Sequence, residues 1–267
     1  MNELYKKYKN TGVFTKEDIL KDFPDISLNG INKKIYEAKK SEVIKGIGRR
    51  AIYFIVEPEQ NYKTSHADHF KIAAKLGVEP IICYSSALMI LGHSHSFMNI
   101  MYISSKKRFR DLKYNNIEYK YATLPQRDNF IKEISHKGSI IRTTTIERTL
   151  IDCLHNIKYS GGFEHIYKSF EGVSYFNWEK LENCLNKFRS PILNARVGFF
   201  LELFEKKWKI PNEVISKIRN KIPKNPDYFL GRDDKNGKLI KEWNIIVPEN
   251  ILRFGFNNDR PTISNEY

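Results

Sequence analysis

The chain has 267 residues, 41% of them hydrophobic and 28% charged, with a formal net charge of +14. That length buries a sizeable core without disulfides or structural metals, as one large domain or two ordinary ones, and the charge favours an anionic partner, nucleic acid ahead of membrane or acidic protein. The polar N-terminus is unlike a signal peptide, no apolar run approaches the ~18 residues of a membrane span, and three widely spaced cysteines read as reduced thiols; a cytoplasmic protein is expected.

A first helix is expected over 2–9, with Leu4, Tyr5 and Tyr8 inward. Thr15, with Asp18 three residues on, is a capping-box start for a short helix whose apolar side is Ile19 and Leu20. Pro24 disfavours helical backbone at Phe23 and makes 23–26 a turn. Ser27 is a good N-cap for the next helix, in which Leu28, Ile31, Ile35 and Ala38 recur at helical spacing as one apolar face. The opposite face carries Asn29, Asn32, Lys33, Tyr36, Lys39 and Lys40. Two apolar runs follow, Val43 with Ile44 and residues 51–56, around a basic turn that includes Arg49 and Arg50. A helix followed by a basic-tipped hairpin is the pattern of a winged helix-turn-helix, which lays its helix in the major groove of double-stranded DNA and its hairpin on phosphates or the minor groove. Those six residues of the helix face, with Arg49 and Arg50, are the candidate DNA-binding set.

Residues 57–65 have no periodic apolar pattern, and Pro58 stops the preceding strand. A domain junction is expected there. A short helix over 67–76 ends at Gly77, 81–84 is a buried run, and a helix capped by Ser85 or Ser86 ends at Gly92. Strands are expected over 100–104 and 117–122, with two more over 130–134 and 139–142. Their short polar connections predict an antiparallel sheet. The cluster Lys106, Lys107, Arg108 and Arg110 surrounds Phe109; it is a surface for an acidic protein face or an RNA, or else a solvated loop. Helices follow over 146–155, 163–171, 178–187, 194–208 and 211–220, then a strand over 240–247 and a polar tail over 257–267. The expected architecture is α+β: a winged helix over 1–57, and a larger domain over 66–256 with a small sheet and a helical C-terminal half.

No catalytic constellation emerges. Gly138-Ser139 with Asp152 resembles the start of a nucleotidyltransferase signature but lacks the second carboxylate that two-metal chemistry needs. Asp227 with Asp233, Asp234 and Lys235 resembles a nuclease set, but the spacer is too short for a pair of adjacent strands, and a polar turn is the simpler reading. His66 with His69 and His93 with His95 lack the further ligands of a tetrahedral metal site. No enzyme activity, metal or cofactor is expected.

Three further stretches, together with the winged helix, carry a family resemblance. They are Tyr84-Ser85-Ser86-Ala87-Leu88-Met89-Ile90-Leu91-Gly92, Arg142 to Asp152 with Glu147-Arg148-Thr149-Leu150, and Ala195-Arg196-Val197-Gly198-Phe199-Phe200-Leu201-Glu202. In order and rough spacing, over about residues 10 to 256, the set resembles the AbiEi family of bacterial abortive-infection antitoxins and autoregulators. His93 departs from the pattern, since an apolar residue usually follows the glycine, and the tail after Phe256 has no counterpart. The resemblance implies a winged helix that binds promoter inverted repeats and represses its own operon. It also implies a second domain that counteracts a cognate nucleotidyltransferase-like toxin, by contact or through the toxin's target. Arg148 and Asp152, four residues apart on a helix, and Arg196 are candidates for that second surface along with the basic cluster, or else fix helix packing. The alternatives are a nuclease carrying a winged helix and a ligand-sensing transcription factor.

Overall fold

The structure, a computed structural model, describes residues 2–48, 51–224, 228–230 and 237–255. The chain divides into two compact units. The first comprises 1–90, 98–127 and 131–144; the second comprises 91–97, 128–130 and the chain from Thr145 onward.

The first unit opens with α1 (Glu3–Tyr8), β1 (Val13–Thr15), α2 (Lys16–Asp22), α3 (Leu28–Lys40), β2 (Ile44–Gly46) and β3 (Ile52–Ile55), the element order of a winged helix. Its helices start at the expected caps. The Thr15 hydroxyl accepts the Asp18 N–H while Asp18 accepts that of Thr15, and the Ser27 hydroxyl accepts the Gly30 N–H at 3.2 Å. Ile31, Ile35 and Ala38 are buried, but Leu28 is 54% exposed. Helical side chains lean toward the N-terminus, so Leu28 overhangs the start of α3, where no core lies beneath it.

The strands pair antiparallel in the order β1-β3-β2, and this small sheet is covered on both faces. Tyr53 and Ile55 of β3 pack with Leu4, Tyr8, Phe14, Ile19 and Ile31 beneath the helices. Ile52 and Phe54, alternating with them, join Val13, Ile47 and Val56 in a second core. That core is completed by residues of α4 (His69–Ala73), β4 (Ile81–Ile82), β5 (Ile100–Ser104), β6 (Leu112–Tyr114), β7 (Ile117–Tyr121) and β9 (Ser139–Thr144), with α5 (Ser85–Ile90) between β4 and β5 packed against it; β8 (Ile131–His136) is an edge strand with no residue in it.

These six strands run β6-β7-β5-β4-β9-β8. The sheet is mixed rather than antiparallel, because β5 pairs parallel with β7, and β4 parallel with β9. The chain leaves β5, returns along the outer edge as β6, and turns back so that β7 slots in beside β5 in the same direction. Asn115 and Asn116, both at positive φ (48° and 61°), make that turn, and Lys137 with Gly138 (46° and 79°) make the one joining β8 to β9. Two consecutive left-handed residues are the hairpin geometry that matches strand twist.

The expected junction at 57–65 lies inside this unit. The Lys45 ammonium donates to the carbonyls of Tyr62, Lys63 and Ser65 at 2.9, 3.0 and 3.3 Å. The Tyr5 hydroxyl donates to Glu57, Lys75 pairs with Asp18 at 2.8 Å, and Ser139 donates to the Thr11 carbonyl. Residues 1–57 and the sheet therefore share a core instead of forming separate domains, because β3 is apolar on both faces.

The second unit contains α6 (Ile146–His155), a 3-10 turn (Ile157–Ser160), α7 (Phe163–Glu171), α8 (Trp178–Phe188), α9 (Pro191–Leu203), α10 (Glu205–Trp208), α11 (Asn212–Arg219), β10 (Tyr228–Phe229), β11 (Lys238–Ile240), β12 (Ile245–Val247) and α12 (Glu249–Gly255). Phe163, Phe170, Phe176, Phe199, Phe200, Phe204 and Trp208 are buried in it, with the Phe204 and Trp208 rings stacked 4.2 Å apart. The helix expected over 194–208 starts earlier, at the Ser190 cap with Pro191 in its first turn, and breaks at Phe204. The strand expected over 240–247 is two strands, separated by a turn in which Asn244 has φ 49°. The fold is thus α+β with a helical C-terminal half. The 257–267 tail lies outside the described residues. Among the described residues, no helix is long and apolar enough to cross a membrane.

Candidate nucleic-acid interface

Asn29, Asn32, Lys33, Tyr36, Lys39 and Lys40 are all exposed on α3, Tyr36 at 66%. At 3.6 residues per turn they share, with Leu28, an arc of about 140°. Lys33 lies 4.0 Å from Glu37 at the rim of that arc. Lys39 reaches toward the hairpin, its ammonium 4.9 Å above the Tyr53 ring. Burial of that ring raises the Tyr53 pKa, with Glu17 adding to the rise, so the phenol stays neutral beneath the lysine. Arg49 and Arg50 lie outside the described residues. The turn residues just before them are seated on the larger sheet: Ile47 is buried, and a Cβ on Gly48, at φ 59°, would stand 3.2 Å from Leu112.

The basic cluster after β5 is exposed at Lys106, Lys107, Arg108 and Arg110, while Phe109 between them is an anchor in the second core. Lys106 pairs with Glu79, which also lies 3.6 Å from Arg142. The Arg108 guanidinium sits 5.8 Å over the Tyr121 ring.

Arg148 and Asp152 were expected as a candidate surface, and the structure corrects this: both side chains are 0% exposed. Arg148 Nε donates to both Asp152 oxygens at 2.8 Å, Nη1 reaches the Asn129 carbonyl, and the guanidinium lies 4.9 Å over the Phe188 ring. Burial pushes the Asp152 carboxyl up, to about 7, against the downward pull of Arg148. A helix stripe containing Leu150, Ile151 and Leu154 carries these charges inward, and their mutual pairing makes that tolerable. Arg196 also serves the fold. It donates to the Phe229 carbonyl at 3.2 and 3.0 Å and to the carbonyls of Leu154 and His155, so it satisfies the C-terminal end of α6.

The other charged and polar residues of the three stretches are supports too. Glu147 accepts the N–H of Asn177, the N-cap of α8. Glu202 accepts the Trp243 indole N–H at 2.7 Å. The Ser86 hydroxyl accepts the Tyr102 N–H at 2.8 Å, and the Tyr84 hydroxyl donates to the Thr123 carbonyl.

A cluster with no clear sequence signal centres on Asp68. It N-caps α4 through the N–H groups of Phe70 and Lys71 and meets His136 Nε2 at 3.0 Å and Lys137 at 2.9 Å. Burial raises this carboxyl, but the bonds from His136, Lys137 and the Lys71 N–H outweigh it and hold the pKa at about 2. Its parts are more than sixty residues apart in sequence, which is why spacing does not show it. Among the described residues, no group of three or more His, Cys, Asp or Glu is placed to hold a metal ion. Asp227, Asp233, Asp234 and Lys235 lie outside the described residues. All three cysteines are buried and in no disulfide.

No family model matches the chain, and no curated protein matches it. Among solved structures it is similar to the Rv2827c protein from Mycobacterium tuberculosis, with a TM-score of 0.63 and 12% identity over 91% of this chain and 89% of that one. At that identity the likeness extends to the fold alone.

Proposed function

We propose that the chain is a DNA-binding autoregulator of the AbiEi type. In this reading it is a cytoplasmic antitoxin that represses its own operon at promoter inverted repeats and opposes a cognate nucleotidyltransferase-like toxin, by contact or through that toxin's target. The observation that carries the DNA half is the exposed arc of α3 within a winged-helix element order: three lysines, two asparagines and a tyrosine, on a chain of net charge +14. The lysines are suited to phosphates and the asparagines to base edges. Resemblance in the three stretches supports the antitoxin half. Since Arg148, Asp152 and Arg196 hold the second unit together, a toxin-facing surface falls to exposed groups such as Lys107 and Arg108.

The test is binding of the full-length protein to duplex DNA from upstream of its own gene over a salt series. Lys33→Ala with Lys40→Ala should weaken binding and make the slope of log K against log salt shallower by about 1.8, two phosphate contacts' worth. Arg49→Ala with Arg50→Ala should act the same way if the hairpin tip meets phosphates. Promoter affinity and salt slope unchanged in the α3 variant would remove that helix from the interface. The reading also predicts no cleavage or nucleotidylation of DNA or RNA with magnesium, manganese or zinc. Activity abolished by Asp227→Ala would replace it with a nuclease.

A further inference from the structure

We infer that α3 is a reader of A·T base pairs, with Leu28 packing on thymine methyl groups and Asn29 and Asn32 bonding adenine edges; this rests on the reading that α3 enters a major groove. The starting point is an apolar side chain out of place. Leu28 has the spacing of the buried stripe yet is 54% exposed at the first turn of the helix. It stands beside Asn29 and Asn32, also exposed, at the N-terminal end, which is the end that meets base edges in helix-turn-helix docking. The chemistry of this end is selective. An A·T pair presents an acceptor and a donor on adenine and a methyl group on thymine, matching the carboxamide of Asn and the isobutyl group of Leu.

The groups that would favour G·C are placed elsewhere. Reading guanine takes Arg or Lys, and reading cytosine takes a carboxylate. Lys39 and Lys40 sit at the far end of α3, and Lys33 lies at the rim beside Glu37, whose carboxylate falls outside the arc. Leu28 and Asn32 are about 6 Å apart along the helix axis, close to two base-pair steps of 3.4 Å, so they address pairs two steps apart, within one short A·T run.

The experiment selects duplexes from a random pool with full-length protein and then alters the recovered site. The core of the selected sequences should be A·T. Replacing thymine by uracil removes only the methyl group; it should weaken the wild type about four-fold and leave Leu28→Ala unaffected. Replacing adenine by 7-deazaadenine should weaken the wild type about five-fold or more and leave Asn29→Ala with Asn32→Ala unaffected. These residues are on the surface, and circular dichroism verifies that the variants fold. Duplex binding with a G·C core, or binding indifferent to both base analogues, overturns this assignment while leaving DNA binding intact. Failure to select or bind any duplex overturns the proposed function itself, and this inference with it.

Discussion

Trp243 lies directly on Gly198: a Cβ added to that glycine would stand 1.9 Å from the indole ring, which is wholly buried and donates its N–H to Glu202 one helical turn on. The glycine and the glutamate of the third stretch thus serve one aromatic residue, with Arg219 over the same ring at 4.9 Å. Gly198→Ala should destabilise the second unit by about 3 kcal/mol, at the upper end of overpacking costs, because rigid ring atoms stand in the way. Urea denaturation followed by tryptophan fluorescence reads this, and an unchanged midpoint would mean that the ring moves aside freely.

Removing one member of the Arg148–Asp152 pair strands a buried charge. Asp152→Leu alone should cost about 3–5 kcal/mol, whereas Arg148→Met with Asp152→Leu together should cost much less than the sum of those two single changes. The same urea experiment on four proteins gives the coupling. Strict additivity would show that the two groups are not energetically paired in the folded chain.

Asp68 has a folded pKa of about 2 against an ordinary 3.8. A depressed carboxylate stabilises the fold fully above the ordinary value, and that contribution is lost as pH falls through the folded value. The first unit should therefore lose about 2 kcal/mol between roughly pH 4 and pH 2 on account of this group. Asp68→Asn keeps an oxygen for the Phe70 and Lys71 N–H groups but cannot titrate. Its stability should be lower at neutral pH and flatter across the acid range; an acid slope equal to that of the wild type would assign the transition to other groups.

A fragment beginning at His66 should not fold cooperatively, because it strips Val13, Ile47, Ile52, Phe54 and Val56 from the core they share with the larger sheet. Circular dichroism on heating should show no sharp transition. Lys45→Ala in the full chain is a gentler version. It frees three carbonyls of the 62–65 segment, and limited proteolysis should then cut there sooner than in the wild type. A soluble, cooperatively melting 66–267 fragment would restore the junction suggested by composition.

Local signals in the sequence are legible where local chemistry decides. Thr15, Ser27, Thr145 and Asn177 all cap helices through their side chains, whereas the short helix expected over 67–76 spans only His69–Ala73 with Ala74 as its C-cap, and Gly77, at φ 85°, lies in the turn beyond it. Long-range pairing is where the reading falls short. Alternation within 117–121 marks a strand but not its partner, and β7 pairs parallel with β5 because β6 occupies the outer edge. The apolar run at 51–56 carried the key signal. A run without alternation means that both faces are covered, whereas a free wing has one face in water. At the candidate interface, the face of α3 is readable from helical period alone. The inward direction of Arg148 and Asp152 is not, since their spacing suits an exposed pair equally well.

The two-sided burial of β3 has a consequence for any operator. A recognition helix on a flexible tether can follow half-sites moved apart or rotated about the duplex. Here α3 belongs to the same compact unit as the six-stranded sheet; on the proposed reading it is carried with that sheet, and two copies engaging both repeats at once would hold one phase on the duplex. Inserting about five base pairs, half a turn, between the repeats should abolish simultaneous engagement, and inserting about ten should restore the phase but not the distance.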